Sequence, residues 1–284
     1  MDSSKLRAVI DGIDDLPTLS SVAAMVMDLL NSSDSTASEL SKLISADQGL
    51  TLRILRMANS SYYGFPRQIG TINLAIVVLG FDTVKSLTLS LSIQDSFREW
   101  KSRVKLDFQE YWKHSLYTAA GSRFLAKSTS YVVPGEAFVA GLVHDVGKLV
   151  ISGYLHDEYD KIHKLTDEGG QSDYDAEMEV LSISHGEIGG WLTEKWGLPA
   201  AISDAVKNHH HPLKSEIDTE LSAIINISDR LSHLHGLTPD VMEEAADFDR
   251  EAWKTLRMRL KPSGKHDNEY YFKAFEDELN SAES

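Results

Sequence analysis

The stretch Ala137-Phe138-Val139-Ala140-Gly141-Leu142-Val143-His144-Asp145-Val146-Gly147-Lys148-Leu149-Val150 is apolar apart from His144, Asp145 and Lys148. Such a run belongs in a core. An isolated buried carboxylate costs several kcal/mol or more, so Asp145 must be paired or ligated there. Two readings fit: a buried His-Asp pair joining two helices, or a pair of metal ligands. The dipeptide alone does not choose, because His156-Asp157 and His266-Asp267 repeat it. Those two sit among charged residues and read as solvated surface.

Helix signals dominate on both sides of this run. Upstream, Leu16-Pro17 opens a segment with Val22, Met25, Val26, Leu29 and Leu30 at helical spacing, broken by Asn31-Ser32-Ser33-Asp34. Ser38 is read as the N-cap of a helix carrying Leu40, Leu43 and Ile44, and Asp47 as the N-cap of the next. Residues 59–66 form a loop by composition, expected to be ordered near a lobe junction because Tyr62, Tyr63 and Phe65 are too apolar to float freely. Further helices are predicted at 71–79, 84–97, 108–126, 176–181, 185–196, 200–208 and 217–233. No strand pattern of any length appears, so the fold class is all-α, with lobes at 1–105 and 106–236 and a C-terminal helical extension at 237–284 that ends in a frayed tail.

The chain of 284 residues is 42% apolar, carries a formal net charge of −15 and contains no cysteine. Disulfides and thiolate metal sites are thereby excluded. No secretory leader and no apolar run of about 18 residues is visible, so a soluble, cytoplasmic protein is expected, with no membrane partner. An acidic chain is a poor default for nucleic acid, whose phosphates need Lys and Arg. Arg53, Arg56 and Arg67 are close in sequence, and are read as a solvated helix face.

Several other residues carry coordination chemistry, each beside a plainer reading. Glu110 and His114 are four apart and share a helix face, where they can present a carboxylate and an imidazole to one metal or form a solvated pair. His185 starts an apolar helix and is a ligand, an N-terminal cap or a surface histidine. His209 and His210 close the helix ending at Asn208, as ligands or as a polar C-cap. Asp229 lies in a helix apolar on most sides, where it needs a metal or a salt bridge to Arg123, Arg230 or a lysine.

In order along the chain, Glu110, His114, His144-Asp145, His185, His209-His210 and Asp229 resemble the ligand series of the HD superfamily of metal-dependent phosphohydrolases, and His144-Asp145-Val146-Gly147-Lys148 is similar to its HD-x-GK signature. The first half adds Leu16-Pro17, Ile44-Ser45-Ala46-Asp47-Gln48-Gly49-Leu50, Leu55-Arg56-Met57-Ala58-Asn59-Ser60-Ser61-Tyr62-Tyr63, Ala75-Ile76 and Leu79-Gly80, which resemble the HDOD family. His209-His210-His211-Pro212 resembles that family's HH-x-P element. The resemblance implies a two-lobed helical architecture with an HD-type bundle carrying the metal site. It further implies that Asp145 bridges two metals, that His114, His144, His185, His209, His210 and Asp229 are ligands, that Glu110 completes a third position, and that Lys148 faces substrate phosphate.

HDOD proteins have often lost these ligands and are regarded as signalling modules, whereas this chain keeps the set. No Gly-Tyr-Pro follows His210, which argues against hydrolysis of cyclic di-GMP. The leading expectation is a signal-transduction or regulatory module with a complete di- or trinuclear site, acting on unidentified signalling proteins. The alternative is a metal-dependent phosphohydrolase or phosphodiesterase acting on a nucleotide or cyclic dinucleotide, with Asp145 and Lys148 as its catalytic residues and a nucleotide or phosphate as ligand. A helical scaffold with buried His-Asp pairs and no metal is the third reading. Imidazole and carboxylate donors suit two or three divalent ions, with iron or manganese favoured over zinc or nickel.

Overall fold

The computed structural model describes residues 21–31, 36–59, 67–233 and 250–257, together with Arg7, Gly12 and Phe65. Leu16-Pro17, Ser32-Ser33-Asp34, most of the 59–66 loop with Tyr62 and Tyr63, His266-Asp267 and most of the C-terminal extension lie outside the described residues. No strand occurs among the described residues.

Five helices come first: α1 (Ser21–Asn31), α2 (Ala37–Ala46), α3 (Gln48–Ala58), α4 (Ile72–Leu79) and α5 (Phe81–Ser96). The N-cap of α2 is Thr36, not Ser38 as the sequence suggested. Thr36 Oγ1 accepts from the Glu39 N–H, and the Glu39 carboxylate accepts from the Thr36 N–H at 2.9 Å. A reciprocal box needs the acid three residues on, and Ser38 has Ser41 there. Asp47 serves two helices. Its N–H donates to the Ile44 carbonyl that ends α2, and its carboxylate accepts from the Leu50 N–H of α3 at 2.9 Å.

The second set is α6 (Phe108–Ser128), α7 (Pro134–Val143), α8 (Val146–Tyr154), α9 (His156–Asp167), α10 (Asp173–Leu181), α11 (His185–Lys195), α12 (Ala200–Asn208), α13 (Thr219–His233) and α14 (Arg250–Arg257). Helix α6 lies between α7 and α13, while α11 packs on α8 and α12. Helix α9 was not anticipated. Its composition is largely charged, but Tyr159, Ile162 and Leu165 fall on one face and pack against the core. His156 and Asp157 are exposed on it, as expected.

One connected apolar core runs through both sets. Helix α5 packs on α7, and an aromatic cluster locks the join. Phe97 meets Trp100 and Trp196 edge-on at 5.7 Å, and Trp100 meets Tyr154 at 4.9 Å. Among the described residues no single helix is long and apolar enough to cross a membrane.

The apolar run 137–150 is not one helix. It breaks at His144-Asp145, between α7 and α8. Two glycines permit the close packing around this break. A Cβ on Gly141 would stand 2.8 Å from the Thr118 carbonyl oxygen of α6, and one on Gly147 would stand 2.0 Å from the His185 carbonyl oxygen of α11. The glycine of the HDVGK stretch is therefore the contact that lets α11 approach α8.

Candidate metal centre

Each candidate ligand sits where its helix makes it available. Asp107 caps α6, accepting from the Gln109 and Glu110 N–H groups, and His114 follows on the second turn. His144 and Asp145 occupy the turn between α7 and α8. His185 is the first residue of α11, fixed by the capping box of Ser184 and Glu187. His209 and His210 follow the last residue of α12. Asp229 is on α13, one turn before His233.

These side chains meet at one point, in two groups. Ligand atoms of His185, His209 and His210 all lie within 4.8 Å of one another, and so do those of His114, His144 and Asp229. Within the first group, His185 Nε2 is 3.3 Å from His209 Nε2 and 2.9 Å from His210 Nε2. Within the second, His114 Nε2 is 3.3 Å from His144 Nε2, and Asp229 Oδ1 is 3.0 Å from His114 Nε2 and 3.4 Å from His144 Nε2. Asp145 stands between the groups. Its Oδ1 faces the first, 3.0 Å from His185 Nε2 and 3.9 Å from His209 Nε2. Its Oδ2 faces the second, 3.5 Å from His144 Nε2 and 3.8 Å from His114 Nε2.

The outer ring nitrogens show that this is a donor set suited to cations. His144 Nδ1 donates to the Gly141 carbonyl at 2.8 Å, and His209 Nδ1 to the Val206 carbonyl at 2.7 Å. A carbonyl only accepts, so in the neutral ring the proton is on Nδ1 and the Nε2 lone pair points inward. His185 Nδ1 donates to Glu177 at 2.7 Å, a carboxylate–histidine pair of the kind that orients metal ligands. Lone pairs facing one another at about 3 Å repel unless a proton or a cation lies between them. The residues present therefore fit divalent metal.

Burial sharpens the electrostatics. His144, His185 and His209 are fully buried, and Asp145 is 3% exposed. Burial, with His144 and His185 nearby, pushes His209 down to about 3. Burial likewise lowers His210 well below the ordinary imidazole range, and lowers His114. Burial acts against a charged His185 too, but Glu177 and Asp145 outweigh it and hold that ring up to about 9. Burial would raise both aspartates. For Asp145 the neighbouring His144, Lys148 and His185 prevail, and for Asp229 the contacts with His114, His144 and His233 do, so both stay well below the usual carboxylate range.

Two expected residues are placed differently from the rest. Glu110 is exposed in the first turn of α6, outside both groups. Lys148 is engaged twice. Its Nζ is 2.9 Å from Asp145 Oδ2 and 2.8 Å from Asp173 Oδ2. Sequence reasoning missed Asp173, Glu177 and His233. His233 Nε2 is 3.4 Å from Asp229 Oδ1, and its ring stacks on His114 at 4.3 Å. The spacing of four between Asp229 and His233 was a readable signal. Glu177 had none, being one of several acids in Asp173-Tyr174-Asp175-Ala176-Glu177-Met178-Glu179.

The model of the HDOD domain family matches residues 16–212. The chain belongs to the HDOD family. An HDOD domain protein with unknown function from Geobacter sulfurreducens has the same fold, with a TM-score of 0.82 at 25% identity over 97% of this chain and 94% of that one. A candidate phosphohydrolase of Shewanella amazonensis SB2B shares the fold at 23% identity, with a TM-score of 0.74 and 97% of both chains covered. Among curated sequences, an uncharacterized protein of Treponema pallidum (strain Nichols) is 24% identical over 74% of this chain. The uncharacterized protein YuxH of Bacillus subtilis (strain 168) is 29% identical over 54% of it. The matched regions span 40% and 37% of those relatives' own lengths.

Proposed function

We propose that this HDOD chain is a regulatory module built around a resident cluster of divalent ions and passing a conformational state to signalling proteins. The observation that carries the metal reading is Asp145, whose two oxygens face two separate histidine-rich groups across a buried point. His185, His209 and His210 would hold one ion, His114, His144 and Asp229 a second, and Asp145 both. Glu110, one turn before His114, would complete a third position if its side chain swings inward. Nitrogen and carboxylate donors with a bridging carboxylate favour iron or manganese, with zinc or nickel as alternatives.

Lys148 favours regulation over hydrolysis. Its ammonium is neutralised by Asp145 and Asp173, whose charges outweigh burial and hold its pKa well above the usual lysine range. A lysine so occupied is poorly placed to receive a phosphoryl oxygen. The second reading, hydrolysis of a nucleotide or cyclic dinucleotide, draws on the half-buried His114 and His210 and the exposed His233, which give the cluster one edge toward solvent. Bound metals would there supply Lewis-acid activation of water and of the phosphate.

Both readings are tested on protein purified without a histidine tag or chelator. Metal analysis should find at least one transition ion per chain, and less than about half an equivalent with no uptake on reconstitution sinks the metal reading. Metal-loaded protein should turn over cyclic di-GMP and bis(p-nitrophenyl) phosphate far below the ~1–10³ s⁻¹ of ordinary enzymes. Turnover within that range transfers the assignment to the hydrolase.

A further inference from the structure

A groove of about 1200 Å³ opens between α3, the end of α5, the 3-10 turn Arg98–Ser102 and α6. It contains none of the metal-centre residues. Arg53, Arg56, Lys101 and Lys113 line it, against only Asp47 and Asp95. Both acids are committed. Asp95 takes Arg53 in a two-pronged pair, with Nη1–Oδ1 at 2.8 Å, and Asp47 caps α3. Arg56 and Lys101 are exposed and make no ion pair among the described residues. The groove therefore carries a local positive surplus on a chain of net charge −15.

The remaining lining includes an aromatic and aliphatic stretch. Phe108 and Trp112 stack at 12° with centroids 6.5 Å apart, and Leu52 and Leu116 extend that surface. Gly49 also lines the groove, and Gln94 and Gln109 contribute amides that both donate and accept. Cations beside an aromatic–apolar wall with amide groups form the recognition set for a nucleotide, whose phosphates need positive charge and whose base needs a planar apolar seat.

We propose that this groove binds an anionic nucleotide with two or more phosphates, held by Arg56 and Lys101, with its base against Phe108 and Leu116. The site is distinct from the metal centre but shares α6 with it, since His114 projects from the same helix.

The test is titration of the full chain with ATP and GTP, followed by Trp fluorescence and calorimetry at physiological salt, with inorganic triphosphate as the comparison. Saturable binding in the micromolar range is expected, with triphosphate at least ~10-fold weaker because it lacks the base. The double variant Arg56→Glu/Lys101→Glu should lose ~10-fold or more in affinity at an unchanged melting temperature, both side chains being exposed. Crosslinking with 8-azido-ATP should label peptides from α3 or α6. No saturation up to millimolar nucleotide overturns the proposal. So does equal affinity for inorganic triphosphate, or a crosslink confined to the His209-His210 peptide, which moves the nucleotide to the metal centre. Binding of an acidic peptide with no nucleotide binding would make the groove a protein interface and equally refute it.

Discussion

At the scale of single residues, Asp145 and Glu110 make a contrasting pair. Both are carboxylates in the expected ligand series, yet one is buried between the two histidine groups and the other is exposed. Asp145→Ala should therefore strip most of the metal and lower the melting temperature, because the neighbouring imidazoles stay buried without their counter-charge. Glu110→Ala should leave at least one tightly held ion. Equal metal loss in the two variants would contradict this ranking. Glu177 acts one step back. It accepts from both the N–H and Nδ1 of His185, at 2.7 Å each. Glu177→Ala should weaken metal binding ~10–100-fold, as read by competition with a chromogenic chelator. Wild-type affinity in that variant would make the Glu177 contact purely structural. The candidate ligands were legible as a series, from their order along the chain and its resemblance to a known set, since each alone read equally well as a cap, a salt bridge or a solvated pair. Glu177 and Asp173 were not, because only burial separates them from the solvated acids around them.

At the scale of helices, the decisive feature is the break of the apolar run between α7 and α8. The polar pair His144-Asp145 was the only sign of it in the run, since both halves bury nearly every side chain. The break turns His144 and Asp145 out of two helical paths into one shared point. Gly147 then admits α11. Gly147→Ala would drive a methyl into the His185 carbonyl, a backbone atom that cannot swing aside. Overpacking of this kind costs about 1–3 kcal/mol, here at the upper end, so the melting temperature should fall by roughly 5 °C or more. Metal content should fall with it, as His185 is displaced. A variant with full metal and unchanged melting would show that α8 and α11 can separate freely. Capping was legible where one residue carried the signal, as at Asp47. It was misread at Thr36, where only the reciprocal Glu39 distinguishes the true cap from Ser38.

At the scale of the whole molecule, the imidazole pKa values set the stable pH range. His209 titrates at about 3, and His210 is also held low, against an ordinary 6.5. Below about 6.5 the unfolded chain thus binds protons that the folded chain refuses. Their contribution is complete above 6.5 and declines as pH falls toward 3. His185 runs the other way. Raised to about 9, it stabilises below 6.5, and that part is lost as pH rises through 9. Melting temperature should peak near neutrality and drop below pH 6, in step with metal release. A maximum below pH 5 would refute neutral His209 and His210. The all-α class was legible because helical spacing runs through most elements from α1 to α13, the largely charged α9 apart. The groove was not, because its cations come from segments far apart in sequence that only the packing of α3, α5 and α6 unites. One consequence of the buried cluster concerns cooperativity. Its side chains come from α6, the α7–α8 turn, α11, α12 and α13, so once ions are held, none of these elements can open without breaking coordination. Metal would fuse them into a single unit of local unfolding, while α1 to α4 could still open separately. Amide hydrogen exchange with and without chelator should therefore show protection lost across α6 to α13 and left nearly unchanged in α2 and α3.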